Sequence, residues 1–111
     1  MYYINYMISR SYRIQTKEFP GVTRGKIVMD DHVRISVKKE ETLTTPKCAV
    51  IISHKIAKKA VVRNRIRRKI YSWLRQNITT LPLAYVCIYP KNTETPTEIL
   101  YHSLNKLLCG K

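Results

Sequence analysis

Residues 55–70 read KIAKKAVVRNRIRRKI, and this stretch combines a helix-period apolar pattern with a dense run of positive charge. Between Lys55 and Arg75 there are nine Lys or Arg residues and no acidic residue. Apolar residues that recur every three or four positions predict an amphipathic helix, here from about Lys58 to Gln76. Such a helix can pack on a core with one side and hold a polyanion with the others.

The predicted helix separates its apolar and polar side chains clearly. Because successive helical residues turn by about 100°, the apolar residues share one side: Val62, Ile66, Ile70, Trp73 and Leu74. The polar residues form three rows, with Asn64, Arg68 and Arg75 opposite the apolar stripe, Arg63 and Arg67 along one flank, and Arg65 and Lys69 along the other. Arginine suits bidentate phosphate contact, and an asparagine between arginines can reach a base edge or a ribose 2′-hydroxyl.

The whole chain shares this imbalance of charge. It has 111 residues, with 21 Lys and Arg against 7 Asp and Glu, and a formal net charge of +14. No acidic residue occurs from Thr42 through Thr93. Repulsion of this size opposes a compact state, so a polyanionic partner is expected, and nucleic acid is the predicted one. The length predicts a single domain over residues 1–111, with residues 1–8 flexible.

Other classes of site and compartment find little support in the sequence. No apolar run approaches the ~20 residues of a transmembrane helix, and the first residues lack the features of a signal peptide. We therefore expect a cytoplasmic protein without membrane contact. Cys48, Cys87 and Cys109 are odd in number and widely spaced, which favours neither a disulfide nor a zinc site. Cys48 and Cys87 lie in apolar runs and are predicted core thiols.

We expect no catalytic side chain, and we assign no metal-binding residue, although the sequence leaves open whether the protein binds a metal. The three histidines, His32, His54 and His102, have no acidic neighbour at a helpful spacing. Asp30 and Asp31 are adjacent between two predicted strands, and we interpret them as turn formers. His54 precedes the basic helix, where it is either a phosphate donor or an ordinary surface histidine.

The remaining elements follow from local patterns. Strands are predicted at 26–29, 33–38, 48–53 and 83–89, and alternation in the second places Val33, Ile35 and Val37 inward. A short helix around 16–22 is broken or shortened by Pro20. The run TPTE at 95–98 fits a capping box with proline at the first helical position, and Gly110 suits the end of that last helix. The pattern predicts an α+β fold, a small four-stranded mixed sheet packed with helices in αβββαβα order.

The centre of the chain resembles the signature of the bacterial ribonuclease P protein subunit. The residues that carry the resemblance are SHKI at 53–56 followed by KAVVRNRIRR at 59–68. Looser similarity lies in Arg13-Ile14, in Lys17-Glu18-Phe19 and in YVCI at 85–88. The resemblance covers roughly residues 9 to 109.

This resemblance implies a fold like domain 2 of ribosomal protein S5 and a specific function. Members of the family bind a large catalytic RNA, and the complex removes the 5′ leader from precursor tRNA. Mg²⁺ is expected to be held by the partner RNA, and no stable protein partner is implied. Phe19 matches an aromatic residue of the cleft, between the first helix and the sheet, that holds the single-stranded leader. The residues implied in contact with the catalytic RNA are Lys55, Lys58, Lys59, Arg63, Asn64, Arg65, Arg67, Arg68 and Lys69.

Two other functions fit parts of the sequence. A ribosomal protein or general RNA chaperone would explain the charge and size, but not the signature. A membrane-surface amphipathic protein would explain the basic helix. The apolar strand runs and the final helix favour a folded domain over this second alternative.

Overall fold

The computed structural model describes residues 12–14 and 25–110. Most of this part of the chain forms a four-stranded mixed sheet with two helices packed on one of its faces. Its elements in chain order are β1 (Lys26–Met29), β2 (Val33–Lys39), β3 (Lys47–Val50), α1 (Ala60–Asn77), a 3₁₀ turn (Ile78–Thr80), β4 (Ala84–Pro90) and α2 (Thr97–Cys109).

The strands lie in the order β1-β2-β4-β3. The first two neighbouring pairs are antiparallel, and β3 runs parallel to β4, to which α1 connects it. The predicted α+β fold and the mixed four-stranded sheet are therefore confirmed. The short helix predicted around 16–22 and the flexible segment 1–8 lie outside the described residues.

Alternation along the strands buries one face of the sheet under the helices. Val33 and Ile35 of β2 have no exposed surface, as predicted, and Val37 is partly buried against the same core. Val86 and Ile88 continue this face on β4. Ile70 and Leu74 of α1 and Leu104 of α2 are also fully buried in this core. The apolar stripe of the basic helix thus fixes that helix to the sheet.

The turn between β1 and β2 forms as the two aspartates predict. The Asp30 carboxylate accepts hydrogen bonds from the backbone N–H of His32 at 2.8 Å and of Val33 at 3.1 Å.

Just before β1, Gly25 lies against the backbone of β2. A Cβ atom at this position would come within 2.5 Å of the Val37 carbonyl group. A side chain there would push the two strands apart.

Two predicted boundaries shift by a few residues. The basic helix begins at Ala60 rather than near Lys58, so Lys58 and Lys59 belong to the preceding loop. β3 ends at Val50 rather than at Ser53. The Ser53 carbonyl instead accepts hydrogen bonds from the Ile56 and Ala57 amides. The Ile51 amide still donates to the Ile88 carbonyl at 2.9 Å, so the chain leaves the sheet after Ile51, two residues earlier than its apolar run suggests.

The predicted capping box of the last helix is wrong. The helix begins at Thr97, Pro96 occupies the N-cap position, and no side chain caps the helix. The Thr95 hydroxyl instead donates to the Asn92 side chain. The predicted end is confirmed, because Gly110 adopts a left-handed conformation with φ of 71°.

Candidate nucleic-acid interface

The buried side of α1 holds the helix in one orientation. Its buried residues are Ile66, Ile70, Tyr71, Trp73 and Leu74. Four of these were predicted. Tyr71 was missed because the phenol ring lies at the edge of the apolar stripe, where a polar tip is usually exposed. Burial raises the pKa of the Tyr71 hydroxyl. Val62, also predicted in the stripe, is only partly buried.

Two polar contacts join α1 to α2. The Trp73 indole N–H donates to the Asn105 side-chain oxygen at 3.1 Å. The Tyr101 hydroxyl donates to the backbone carbonyl of Lys69 at 2.8 Å. Because these contacts lie on the buried side, they set which side chains of α1 point outward. The position of each charged group therefore depends on α2 as well as on α1.

The nine residues implied in RNA contact lie in the loop before α1 and along that helix. Six of these residues are exposed: Lys55, Lys58, Lys59, Asn64, Arg65 and Arg68. The other three are partly buried: Arg63, Arg67 and Lys69. We call this set the basic surface. No acidic residue occurs from Thr42 through Thr93, so no carboxylate within this stretch of the chain offsets these charges.

Contacts within the basic surface order some of its side chains. Arg67 Nη1 donates to the Asn64 side-chain oxygen at 3.3 Å. Arg68 Nε donates to the Asn64 backbone carbonyl at 3.4 Å. Asn64 thus holds two neighbouring guanidinium groups one turn further along the helix. The sequence-based interpretation gave Asn64 a part in reading base or ribose; its side-chain oxygen is already engaged by Arg67 in this structure.

Arg63 turns back from the helix toward the loop. Its Nη1 atom lies 2.8 Å from the carbonyl oxygens of both Ala57 and Lys58. The same nitrogen lies 3.4 Å from Nδ1 of His54. This arrangement differs from the predicted row of outward donors, in which Arg63 and Arg67 were equivalent. It also gives His54 a neighbour that the sequence did not indicate.

The opposite face of the sheet carries a second group of basic and aromatic residues, which the sequence reasoning did not select. The Arg34 guanidinium lies 4.4 Å from the centre of the Tyr89 ring, a cation–π contact. The strand register places Lys38 of β2 and Lys47 of β3 on either side of Tyr85. Strand alternation alone could have placed these residues together, but only once the strand order was known. Phe19 lies outside the described residues.

The acidic turn lies apart from the basic surface. The Asp30 carboxylate is 3.5 Å from the Lys106 ammonium group of α2. Burial raises the pKa of Asp30, but hydrogen bonds from Ser103 and from the His32 and Val33 amides, together with Lys106, outweigh burial and lower it to about 2. Asp30 therefore joins the β1–β2 turn to α2 and stays ionised near neutral pH.

The two strand cysteines belong to the core. Cys48 and Cys87 are buried, as predicted for core thiols. Burial raises the pKa of Cys48 to about 12 and that of Cys87 to about 11, so neither is a reactive thiolate. In residues 12–14 and 25–110, no three His, Cys, Asp or Glu side chains come together as a metal site. No helix in this part of the chain is long and apolar enough to cross a bilayer.

A basic helix packed on one face of a mixed sheet defines an α+β protein whose surface charge suits a polyanion. The sequence model of the ribonuclease P family matches residues 8–110, and the chain belongs to this family. It is 30% identical over 88 residues to the ribonuclease P protein component of Prochlorococcus marinus strain NATL1A, covering 73% of this chain and 69% of that protein. It is 46% identical over 39 residues to that of strain MIT 9303, covering 35% of this chain and only 30% of that protein.

A solved structure shows the same fold. A mutant of the Staphylococcus aureus RNase P protein superposes with a TM-score of 0.80 over 95% of this chain and 92% of that one. The sequence identity is 17%. At this identity the similarity establishes the fold alone.

Proposed function

We propose that this chain is the protein subunit of a ribonuclease P, which binds the catalytic RNA and promotes endonucleolytic removal of the 5′ leader from precursor tRNA in the cytoplasm. The observation that carries the proposal is the basic surface. It is a set of Lys, Arg and Asn side chains, six of them exposed, on the loop and on a helix whose orientation is fixed by a buried stripe and by two contacts with α2. Family membership makes ribonuclease P RNA the natural partner.

The basic surface would act mainly by neutralising phosphates. Each Lys or Arg that contacts a phosphate releases condensed counterions from the RNA, which makes binding favourable and dependent on salt. A helix held rigidly on its core loses little conformational freedom when it binds. The protein can thus lower the repulsion between the catalytic RNA and the tRNA without taking part in bond cleavage.

Catalysis in this proposal belongs to the RNA. Mg²⁺ held by RNA phosphates would activate the attacking water and stabilise the leaving oxygen. The protein would position the precursor tRNA relative to that centre.

The opposite face of the sheet is the proposed contact for the leader. Tyr85 and Tyr89 offer aromatic rings, and Arg34, Lys38 and Lys47 offer positive charge on the same face. Stacking on aromatic rings combined with backbone charge contacts is how proteins bind single-stranded RNA without strong sequence preference. Phe19 is proposed to add a further ring to this site.

Reconstitution tests the proposal directly. Purified protein and a bacterial ribonuclease P RNA would be mixed at low Mg²⁺ and near-physiological salt, and cleavage of a precursor tRNA would be followed. Cleavage at the mature 5′ end that needs both components, and that is lost in Arg65→Ala/Arg68→Ala, is expected. The matched control is Lys26→Ala/Lys39→Ala, which removes two exposed charges from the β1–β2 hairpin. Tight RNA binding without stimulated cleavage would instead support a general RNA-binding protein.

A further inference from the structure

Arg63 has a different set of partners from its neighbours on α1. Its Nη1 nitrogen carries two protons, and two carbonyl oxygens, those of Ala57 and Lys58, each lie 2.8 Å away. Both protons of this nitrogen are therefore used within the protein. The His54 ring at 3.4 Å packs beside the same nitrogen. The three contacted residues all lie in the loop that leads into the helix.

This loop has a hydrogen-bonded turn at each end, and Arg63 joins the two. At its start, the Ser53 carbonyl accepts hydrogen bonds from Ile56 at 3.1 Å and from Ala57 at 3.2 Å. At its end, the Lys59 carbonyl accepts from Val62 at 3.1 Å and from Arg63 at 3.2 Å. The Ala57 and Lys58 carbonyls lie between these turns. A positive charge from the first turn of α1 holds them by charge-assisted hydrogen bonds, which are stronger than neutral ones.

The loop carries charged side chains that depend on its path. Lys55 and Lys58 are exposed, while Ala57 between them is buried, with 5% of its surface accessible. The backbone therefore folds inward at Ala57 and presents the two lysines outward. If the carbonyls at 57 and 58 were released, the lysines would lose their fixed distance from Arg65 on the helix.

We propose that Arg63 is a positioning residue. It closes the 54–58 loop on the first turn of α1 and thereby sets the spacing of Lys55 and Lys58 relative to the arginines of the helix. Its share in RNA affinity then acts through these two lysines rather than through a phosphate contact of its own. The inference rests on the proposed function for the identity of the ligand, but the closed loop is a property of the protein alone.

Limited proteolysis tests the closed loop without RNA. Trypsin cleaves after lysine when the backbone can be extended, so cleavage after Lys55 and Lys58 in the native protein reports loop opening. Arg63→Ala is expected to speed this cleavage by about tenfold or more, since charge-assisted hydrogen bonds are lost. Arg65→Ala, the matched control on the same helix, should leave the rate unchanged. Equal rates in Arg63→Ala and the wild type, with both variants folded by circular dichroism, would overturn the inference.

A double-mutant cycle tests the consequence for binding to ribonuclease P RNA. We expect Arg63→Ala to weaken binding clearly in the wild-type background and by less than about twofold in a Lys55→Ala/Lys58→Ala background, because coupled residues are not additive. The effects of Arg63→Ala and Arg65→Ala on the binding free energy should add in the double variant. A general loss of structure in Arg63→Ala would not give this additivity. If Arg63→Ala weakened binding by the same factor with and without Lys55 and Lys58, Arg63 would contact the RNA directly, and the inference would be overturned.

The conservative variant Arg63→Lys separates charge from geometry. A lysine keeps the charge that a phosphate needs, but its ammonium group has neither the reach nor the planar shape of guanidinium. If Arg63 is a positioning residue, Arg63→Lys should open the loop and lower the affinity for ribonuclease P RNA nearly as far as Arg63→Ala does. Full affinity with Arg63→Lys and an unopened loop would contradict it. Were the wild-type protein not to bind the RNA, the proposed function would fail, and trypsin cleavage would still decide whether Arg63 holds the loop.

Discussion

The Trp73 indole N–H of α1 donates a hydrogen bond to the Asn105 side chain of α2 across 3.1 Å. The two residues are 32 positions apart, and the contact lies behind the basic surface rather than in it. It links the helix that carries the charge to the last helix of the fold. Changes on α2 can therefore alter the orientation of the basic surface without touching any of its residues.

The first prediction concerns this contact. Asn105→Ala should lower the free energy of unfolding by about 1–3 kcal/mol, because it leaves the N–H of a buried tryptophan without its acceptor. Urea denaturation followed by tryptophan fluorescence measures the change. His102→Ala, an exposed position on the same helix, should change stability by less than about 0.5 kcal/mol. Equal effects of the two substitutions would show that the hydrogen bond contributes nothing.

The second prediction concerns Arg65, an exposed member of the basic surface. If it contacts a phosphate, Arg65→Ala should weaken binding to ribonuclease P RNA and reduce the slope of log K against log salt by about one. Filter binding or fluorescence anisotropy at several salt concentrations gives this slope. Lys26→Ala, which removes one charge from β1, should leave it nearly unchanged. The prediction is wrong if both variants shift the slope alike.

The third prediction concerns the close approach of Gly25 to β2. Gly25→Ala should destabilise the protein by roughly 1–3 kcal/mol, because the added Cβ would overlap the Val37 carbonyl group and separate two paired strands. Gly110→Ala is the comparison. There the added Cβ meets nothing within 4 Å, and only the left-handed backbone disfavours it. Thermal unfolding should show the larger loss for Gly25→Ala, and the reverse order would contradict the steric account.

The fourth prediction concerns pH. The folded-state pKa of Asp30 is about 2, below its ordinary value of 3.8, so its ionised form stabilises the fold above pH 4. This stability is lost as the pH falls from about 4 to 2. Asp30→Asn keeps an oxygen for the turn amides but removes the charge that faces Lys106. Its stability should be lower by on the order of 1 kcal/mol near pH 6, and the difference should shrink toward pH 2. A difference constant across this range would refute the assignment.

The fifth prediction concerns the leader. Phe19→Ala should weaken binding of precursor tRNA to the reconstituted complex by about 1–3 kcal/mol, the usual contribution of one stacked base. Binding of mature tRNA, which lacks the leader, should stay unchanged. Competition binding with the two tRNAs provides the measurement. An equal loss for both ligands would make Phe19 a structural residue.

The described elements were largely predictable because their patterns are local. Alternation identified β2, and the helix-period stripe identified α1. The wrong predictions of element boundaries occur where a residue makes a hydrogen bond that its local sequence pattern does not indicate. Thr95 bonds to Asn92 instead of capping α2. Ser53 turns the chain toward α1 instead of extending β3.

The residues of the basic surface could be named from the sequence, but their arrangement could not. The signature around Arg63-Asn64-Arg65 selected nine residues, of which six are exposed, and their contact with RNA stays a prediction. The sequence treated Arg63 and Arg67 as equivalent because they lie one turn apart. The structure separates them, since Arg63 reaches loop carbonyls and Arg67 reaches Asn64.

The sequence by itself determined the sign of the charge, the amphipathic helix and the family, since each depends on residue type and spacing along the chain. Tertiary structure alone decided which charged groups face outward and which are used inside the protein. It also brought Arg34, Tyr85 and Tyr89 to one face of the sheet. The physical reason is that strand order and helix packing join residues far apart in the chain, and no local pattern encodes those distances.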